Sequence, residues 1–390
     1  MDTLFMLNYP FDYTKIRGKL IERINRFVVR VDIEGQVKEA YLANPGRLWE
    51  LILPGTELLL SPDLSKGKIP YTVLACRKEG QDILLHTHLT NKVVRSLIDD
   101  GKLPAFQSYR VVKEEPAYGR HRFDLLLENM NTGEPYYLEI KSNTLFDGKV
   151  AMFPDAVTGR GANHLKMLQE IVGKGIKTGC LFVVMNPGVS YFMPAYHIDY
   201  FFAQTFVDVR SDVELQAVAL GFEPNFSKIS SVRPVTIPLE FLQNELLDRG
   251  VYLLLINVNG DKTLTVGNLG GMTFKQGYYV YVGSAMNTLS KRIARHKRKR
   301  KKKRWHIDYL SAEASTITAV PIITGDRLEC ELAAGVNGAG GEAVMGFGCS
   351  DCHCHSHLYY FKENPLFNAS IIELIQHYRI GRLEKKLITT

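Results

Sequence analysis

Glu139 and Lys141 stand two residues apart in YYLEIKSNTL, Tyr136–Leu145, a stretch otherwise apolar enough to be a buried strand. Upstream, RFDLLLE carries Asp124, and the turn formers of ENMNTGEP lie between the two runs, so together they read as an antiparallel hairpin. With the turn centred between Asn131 and Thr132, paired positions have numbers that sum to 263, which sets Asp124 opposite Glu139. Two carboxylates about 5 Å apart at their Cβ atoms destabilise a sheet unless something compensates. Lys141 lies on the same face, one step further along, because side chains alternate on a strand. A hard divalent cation with oxygen ligands would neutralise the pair, and Mg²⁺ is commonly held by one or two carboxylates, waters and a substrate phosphate. Lys141 would then orient or deprotonate a metal-bound water and stabilise charge building on a phosphate. A Glu139–Lys141 ion pair at a sheet edge is the blander alternative, and it leaves Asp124 unexplained.

The elements that must position these groups follow from pattern and length. At 390 residues and 45% hydrophobic, the chain can build two or three domains, each with its own core. From Lys19 to Leu89, LIERINRFVVRV, QVKEAYLA, TELLL, YTVLACR and DILLHTH read as roughly five short strands, which predicts a small barrel or sandwich. Between them, Asn44-Pro45-Gly46-Arg47 has the residues of a type II turn, which would hold Arg47 out on a rigid loop. From about Asn91 to Pro234 the pattern is α/β: a helix near Lys92–Gly101, the hairpin, a helix from Thr158 to Val172, the buried strand CLFVVM and a late helix near Asp212–Leu220. SSVRPVTIP then reads as a linker. In FPDAVTGRGANHL, Thr158 can cap the second helix, placing Arg160 and His164 as i, i+4 neighbours at an N-terminus suited to phosphate, over a stripe of Leu165, Leu168 and Val172. A third unit begins near Leu239, and the last segment, 362–390 with SIIELIQHYRI, reads as a helical tail packed on a neighbour.

Charge is concentrated. Lys291–Arg304 holds eleven Lys or Arg and no acid; without them, 37 bases face 41 acids, so the net charge of +7 is local to this run. Such a run is often a solvated loop, but beside other polyanion signals it reads as a phosphate-binding patch, with Arg295, His296, Lys299 and Lys301 as contacts. No charged-then-apolar leader and no run long enough to cross a bilayer occurs, so a cytoplasmic protein with no membrane partner is expected. The six cysteines, three of them packed into Cys349–Cys354, suit a reducing compartment. GFGCSDCHCHSHL offers Cys349, Cys352, Cys354 and His357 as zinc ligands, with a redox-sensitive or packed thiol cluster as the alternative.

Four stretches, NPGRL (Asn44–Leu48), RFD (Arg122–Asp124), LEIKSNTL (Leu138–Leu145) and FPDAVTGRGANHL (Phe153–Leu165), resemble the sugar fermentation stimulation protein A family. The resemblance implies an OB-like domain over 1–90, a PD-(D/E)xK nuclease-like α/β domain over 91–235, and DNA as partner. It makes Asp124 and Glu139 metal ligands with the Ile140 carbonyl as a candidate third, Lys141 the catalytic lysine, and Glu115 a further acidic position. Asn163 departs from the lysine that relatives often carry before the histidine, which removes a phosphate contact and leaves the metal ligands untouched.

GVYLLLI (Gly250–Ile256) and GYYVYVGSAMNTLSKRIARH (Gly277–His296) resemble a GIY-YIG endonuclease-like α+β domain, over about 240–361. The resemblance matches Tyr252 and Tyr281 to the motif tyrosines, Arg292 to a phosphate-stabilising arginine, and Glu329 or Glu331 to the metal-binding carboxylate. A phenol needs help to act as a base, its ordinary pKa being about 10. The 28 residues between the two tyrosines exceed the usual spacing, and the family's late asparagine has no counterpart. Together these readings point to a nuclease dependent on Mg²⁺ or Mn²⁺ that cuts DNA or RNA. The alternatives are a non-catalytic DNA-binding regulator of sugar (maltose) metabolism and a hydrolase of a small phosphate compound.

Overall fold

Alternating apolar side chains build the first domain from strands β1 (Ile16–Asn25), β2 (Val28–Ile33), β3 (Gln36–Leu42), β4 (Glu57–Ser61), β5 (Tyr71–Lys78) and β6 (Gln81–Leu84). The computed structural model describes residues 11–389, and its contacts divide into two units, one ending at Leu239 and including the segment from Leu383, the other Glu240–Arg382. LIERINRFVVRV is two strands rather than one. The Asn25 side chain accepts a hydrogen bond from the Phe27 amide (2.8 Å) and folds the run into the β1–β2 hairpin. The sheet runs β3-β2-β1-β4-β5-β6, and a parallel pairing of β3 with β5 closes the first five strands into a barrel. Leu20, Val31, Leu58, Leu60 and Val73 fill its core.

The second domain of this unit starts with helix α1 (Thr87–Asp99), followed by β7 (Tyr109–Glu114), the short pair β8 (Ala117–Tyr118) and β9 (His121–Arg122), then β10 (Leu125–Asn129) and β11 (Pro135–Asn143). Strands β12 (Phe146–Asp147) and β13 (Val150–Phe153), helix α2 (Gly159–Val172), β14 (Lys177–Val184), β15 (Tyr191–Pro194), helix α3 (Tyr200–Asp208), β16 (Glu214–Phe222) and β17 (Ile229–Pro234) complete it. Its main sheet runs β17-β16-β14-β11-β10-β7, with the central pairs β11–β14 and β14–β16 parallel. Two expectations fail here. The residues read as a helix near Asp212–Leu220 form β16, buried from Ala217 to Gly221, so the period-2 signature of a half-exposed strand is missing. The first five residues of SSVRPVTIP belong to edge strand β17 paired with β16, and Pro234 falls at its end, where the missing N–H does little harm.

The second unit opens on helix α4 (Leu239–Glu245) and then sets β18 (Gly250–Val258), β19 (Lys262–Thr265), β20 (Gly271–Phe274), β21 (Gly277–Ala285), α5 (Leu289–Lys297) and α6 (His306–Glu313) in order. Strand β22 (Thr316–Ile323), helix α7 (Glu329–Gly338), β23 (Glu342–Ala343), β24 (Leu358–Phe361) and helix α8 (Ala369–Gln376) follow, and α9 (Leu383–Ile388) returns to the first unit. The sheet order is β22-β18-β21-β24-β23. The residues that lengthen the spacing between Tyr252 and Tyr281 form the separate β19–β20 hairpin, so the β18–β21 ladder runs unbroken from Gly250–Ala285 to Val258–Gly277. Gly283 faces Tyr252 across that ladder, and a Cβ there would sit 2.6 Å from the Tyr252 ring, so only glycine fits. Among the described residues, no helix is long and apolar enough to cross a membrane.

Candidate functional site

The β10–β11 hairpin has the register the turn dictates: Leu125 pairs with Leu138, and the ladder runs on to Glu128 with Pro135. Asp124 stands one residue before β10, where continuing this register sets it beside Glu139. One Asp124 oxygen accepts from the Ile140 amide (2.6 Å) and the other from Asn91 Nδ2 on α1 (2.7 Å). Glu139 is buried, and its Oε1 meets both Lys141 Nζ and His164 Nδ1, the latter at 2.6 Å. Arg160 Nε donates to His164 Nε2 (3.3 Å), which leaves the ring proton on Nδ1, pointing at Glu139. The Glu139–Lys141 ion pair thus exists, but it accounts for one carboxylate only. Glu139 Oε2 is buried with no hydrogen-bond partner, and no cation hydrogen-bonds Asp124 among the described residues.

Electrostatics bear the same mark. Burial, and then the neighbouring Glu139 charge, push the Asp124 carboxyl up to about 6. Burial acts in the same direction on Glu139, but Lys141 and the His164 hydrogen bond outweigh it and hold that carboxyl below its ordinary value. Both carboxylates, with Ile140 and Lys141, line one cleft of about 520 Å³. A half-buried Asp124 and a buried Glu139, the latter with an oxygen no donor meets, form a donor set suited to a hard divalent cation.

The cleft's other wall comes from the barrel. Asn44, Pro45 and Gly46 line it opposite Asp155. Here the expected type II turn is not formed: Gly46 lacks the positive φ that turn requires, and its amide instead donates to Asn44 Oδ1 (2.9 Å). The glycine is needed for room, since a Cβ at Gly46 would lie 2.2 Å from an Asp155 oxygen. Arg23 ties the loop by donating to the carbonyls of Gly46 (2.8 Å) and Arg47 (2.7 Å), and the Leu48 amide donates to Asp155 (3.1 Å). Gly46→Ala is expected to destabilise the first unit by about 1–3 kcal/mol through overpacking. Urea unfolding of Gly46→Ala, Asp155→Ala and the double variant measures this, and the double variant should lose less than the sum of the singles.

Several expected residues lie elsewhere. Arg47 is exposed with its guanidinium over the Trp49 ring (4.9 Å), and it does not line the cleft. Glu115 is exposed and pairs with Arg122 (3.4 Å). His164 is buried and turned to Glu139, so the outward phosphate contact expected of it is closed, whereas Arg160 lines the cleft. The Thr158 cap is made, its hydroxyl accepting from the Gly161 amide (3.0 Å), and Ile171 takes the buried place expected of Val172. No local signal in the sequence points to Asn91 or Arg23, and the PDA step after Phe153 is the one local signal for Asp155.

In the second unit Tyr252 and Tyr281 have ring centroids 6.4 Å apart, and the Tyr252 hydroxyl meets His296 Nε2 (2.9 Å). Burial raises both phenols above their ordinary pKa, the opposite of what a base near neutrality needs. Arg292 stacks on Trp305 at 4.3 Å. Arg295 makes a two-pronged pair with buried Asp308 (2.8 Å each), His296 is buried, and Lys301 Nζ donates to the His296 carbonyl (2.6 Å) and Ser311 (2.7 Å). Of the four polyanion contacts expected in the basic run, Lys299 is the one left exposed. Glu331 accepts from the Tyr378 hydroxyl (2.8 Å), and Glu329 accepts from Ser284 and lies 3.2 Å from His357 Nδ1. Cys349 falls outside the thiol cluster, its Sγ facing the His355 carbonyl at 3.7 Å, and Cys330 of α7 takes its place.

Three family descriptions match successive parts of the chain: an SfsA N-terminal OB domain over 21–85, a sugar fermentation stimulation protein RE domain over 88–226, and a domain of unknown function, DUF123, over 251–380. A sugar fermentation stimulation protein homolog of Clostridium tetani is 34% identical over 212 residues, covering 54% of this chain and 92% of that one. The chain belongs to the sugar fermentation stimulation protein family. Another family member, from Pyrobaculum arsenaticum, is 36% identical over 213 residues, 54% of this chain and 90% of that protein. The structure of Pyrococcus furiosus SfsA in complex with Ca²⁺ matches with a TM-score of 0.54 and 27% identity, covering 60% of this chain and 99% of that one. To the family's two domains this member adds a C-terminal DUF123 domain, the GIY-YIG-like module.

Proposed function

We propose that the first unit is a Mg²⁺- or Mn²⁺-dependent phosphodiesterase acting on DNA or RNA. The observation that carries this reading is the cleft that holds Asp124 and Glu139 together with Lys141, with Glu139 Oε2 unmet by any donor. Asp124, Glu139 and the Ile140 carbonyl would hold the cation, whose chemistry is to polarise a phosphoryl oxygen and to acidify a bound water. Asn91 and the Ile140 amide fix the Asp124 carboxylate, and His164 fixes Glu139 by donating from Nδ1. Lys141 brings an ammonium to the same cleft, where it offsets negative charge developing on phosphate. Arg160, at the start of α2 and lining the cleft, would meet a neighbouring phosphate oxygen. The Ca²⁺ bound by the Pyrococcus furiosus relative supports a hard-cation site. In the second unit the exposed cations around Lys299 and Arg292 on its Trp305 platform supply polyanion affinity.

A second reading is a nucleic-acid-binding regulator that does not cut, favoured by the Glu139–Lys141 pair, which neutralises one carboxylate without any metal. Incubation of supercoiled plasmid, single-stranded DNA and RNA with Mg²⁺ or Mn²⁺ separates the two. Metal-dependent cleavage lost in Lys141→Ala supports the enzyme; binding without turnover in every metal and substrate supports the regulator.

A further inference from the structure

We infer that the second unit holds a structural Zn²⁺ in a Cys₃His site made by Cys330, Cys352, Cys354 and His357, with Glu329 as the carboxylate that orients the histidine. This inference is independent of the hydrolytic reading of the first unit. The four ligand atoms lie within 4.8 Å of one another. Tetrahedral zinc with Zn–S near 2.3 Å and Zn–N near 2.0 Å sets its ligands roughly 3.5–3.8 Å apart, so side-chain shifts of about an ångström close the site. The ligands come from two segments far apart in sequence: the first turn of α7 gives Cys330, and the irregular segment between β23 and β24 gives the rest. That segment has fixed ends, since the Val344 amide donates to the Leu358 carbonyl (2.9 Å) and the His357 amide to the Phe347 carbonyl (2.8 Å). His355 and Ser356 are anchored as well, through the Gly346 amide on the His355 carbonyl (2.9 Å) and the Ser356 hydroxyl on the Val344 carbonyl (2.7 Å), but Cys349–Cys354 lies outside any strand, and a metal cross-link to α7 would hold it.

The orientation of His357 is a second, independent observation. Its Nε2 faces Cys352 Sγ at 3.4 Å, inside the thiol group, while its Nδ1 lies 3.2 Å from Glu329 Oε1. Zinc-bound imidazoles commonly donate their other N–H to a carboxylate, which fixes both tautomer and ring plane. Glu329 precedes Cys330 in the chain and is itself held by the Ser284 hydroxyl, so one turn of α7 supplies a ligand and the carboxylate behind another. A disulfide would pair two of the three thiols and leave the third, and the inward-facing imidazole, without a role. Zinc binding releases the three thiol protons to solvent and involves no change of oxidation state. The site also borders the tyrosine pair: Gly348 has φ +72° and a Cβ there would lie 3.2 Å from the Tyr281 ring.

The test uses the full-length protein, reduced, loaded with ZnCl₂ and desalted. One zinc per chain by atomic emission is expected, and Co²⁺ in its place should give thiolate-to-metal charge-transfer bands and intense tetrahedral d–d bands. In the native zinc form, iodoacetamide with peptide mass mapping should label Cys349 and spare Cys330, Cys352 and Cys354 until a chelator is added. Cys330→Ser should lose the metal and Cys349→Ser should keep it, while Glu329→Gln should weaken zinc about 10–100-fold in chelator competition. Failure to bind zinc, a disulfide among these thiols in the zinc-treated reduced protein, or protection of Cys349 with labelling of Cys330 would overturn the assignment. The labelling pattern of the unaltered protein decides the ligand set even if Cys330→Ser fails to fold.

Discussion

Asp124→Asn is expected to abolish metal-dependent cleavage and to weaken Mg²⁺ binding by at least about 100-fold, more than loss of an outer-shell partner usually does. The substitution is nearly isosteric. Its remaining oxygen can still accept from the Ile140 amide, and Asn91 can turn its own amide to present an oxygen to the new NH₂ group. The fold is therefore kept while one of two facing charges is removed. Isothermal calorimetry with MgCl₂ reads the binding, and plasmid cleavage reads the activity. Lys141→Ala, by contrast, should leave cation binding in place and lower the cleavage rate about 10²–10⁴-fold, the range for a lost proton-transfer or charge-stabilising group. Equal cleavage by Asp124→Asn, Lys141→Ala and the unaltered protein would sink the hydrolytic reading. Metal binding unchanged by Asp124→Asn would move the cation elsewhere.

The second large effect concerns Asp308, fully buried in the second unit. Its carboxylate receives two bonds from Arg295 (2.8 Å each), the Arg304 amide (2.8 Å) and the Trp305 amide (3.1 Å), and it lies 3.7 Å from His296 Nδ1. As the third helical residue of α6 it also satisfies donors at the start of that helix. Asp308→Ala leaves the Arg295 guanidinium and two backbone amides without their acceptor, and it is expected to destabilise the second unit by about 3–5 kcal/mol. Burial acts to raise the Asp308 carboxyl, but hydrogen bonds from its neighbours prevail and hold it far below the ordinary carboxylate range. A depressed folded pKa contributes stability that is present above the unfolded value, near 3.9, and is lost as pH falls below it. Denaturant midpoints for the unaltered protein should therefore fall below about pH 4, and Asp308→Ala should lack this part of the acid dependence.

The neighbouring positions of Asp124 and Glu139 are legible because two local rules, a turn of fixed length and side-chain alternation, set the hairpin register. The same rules have no purchase where burial erases alternation, and Glu214–Phe222, covered on both faces at its centre, reads as helix for that reason. Asn25 illustrates a third case, in which one side-chain hydrogen bond turns a continuous β pattern into two strands. Site residues supplied across the fold escaped as well. Asn91 on α1 and Asp155 after β13 acquire their partners only when distant elements pack. Cys330 is the instructive miss: Cys76 and Cys180 sit in apolar strands, which leaves it as the one cysteine outside the Cys349–Cys354 run without a core to explain it. Sequence proximity favoured Cys349, whereas three-dimensional proximity favours the thiol at the head of α7.

The loop Asn44–Gly46 belongs to the barrel, yet it borders the same cavity as Asp124, Glu139 and Lys141. A fragment starting at residue 91 would carry every acidic and basic group of the proposed centre and still lack part of its enclosure. These two folds are therefore not freely interchangeable parts: a recombinant that grafts a different barrel onto the α/β portion without a glycine at the point of closest approach to Asp155 must displace that carboxylate to seat.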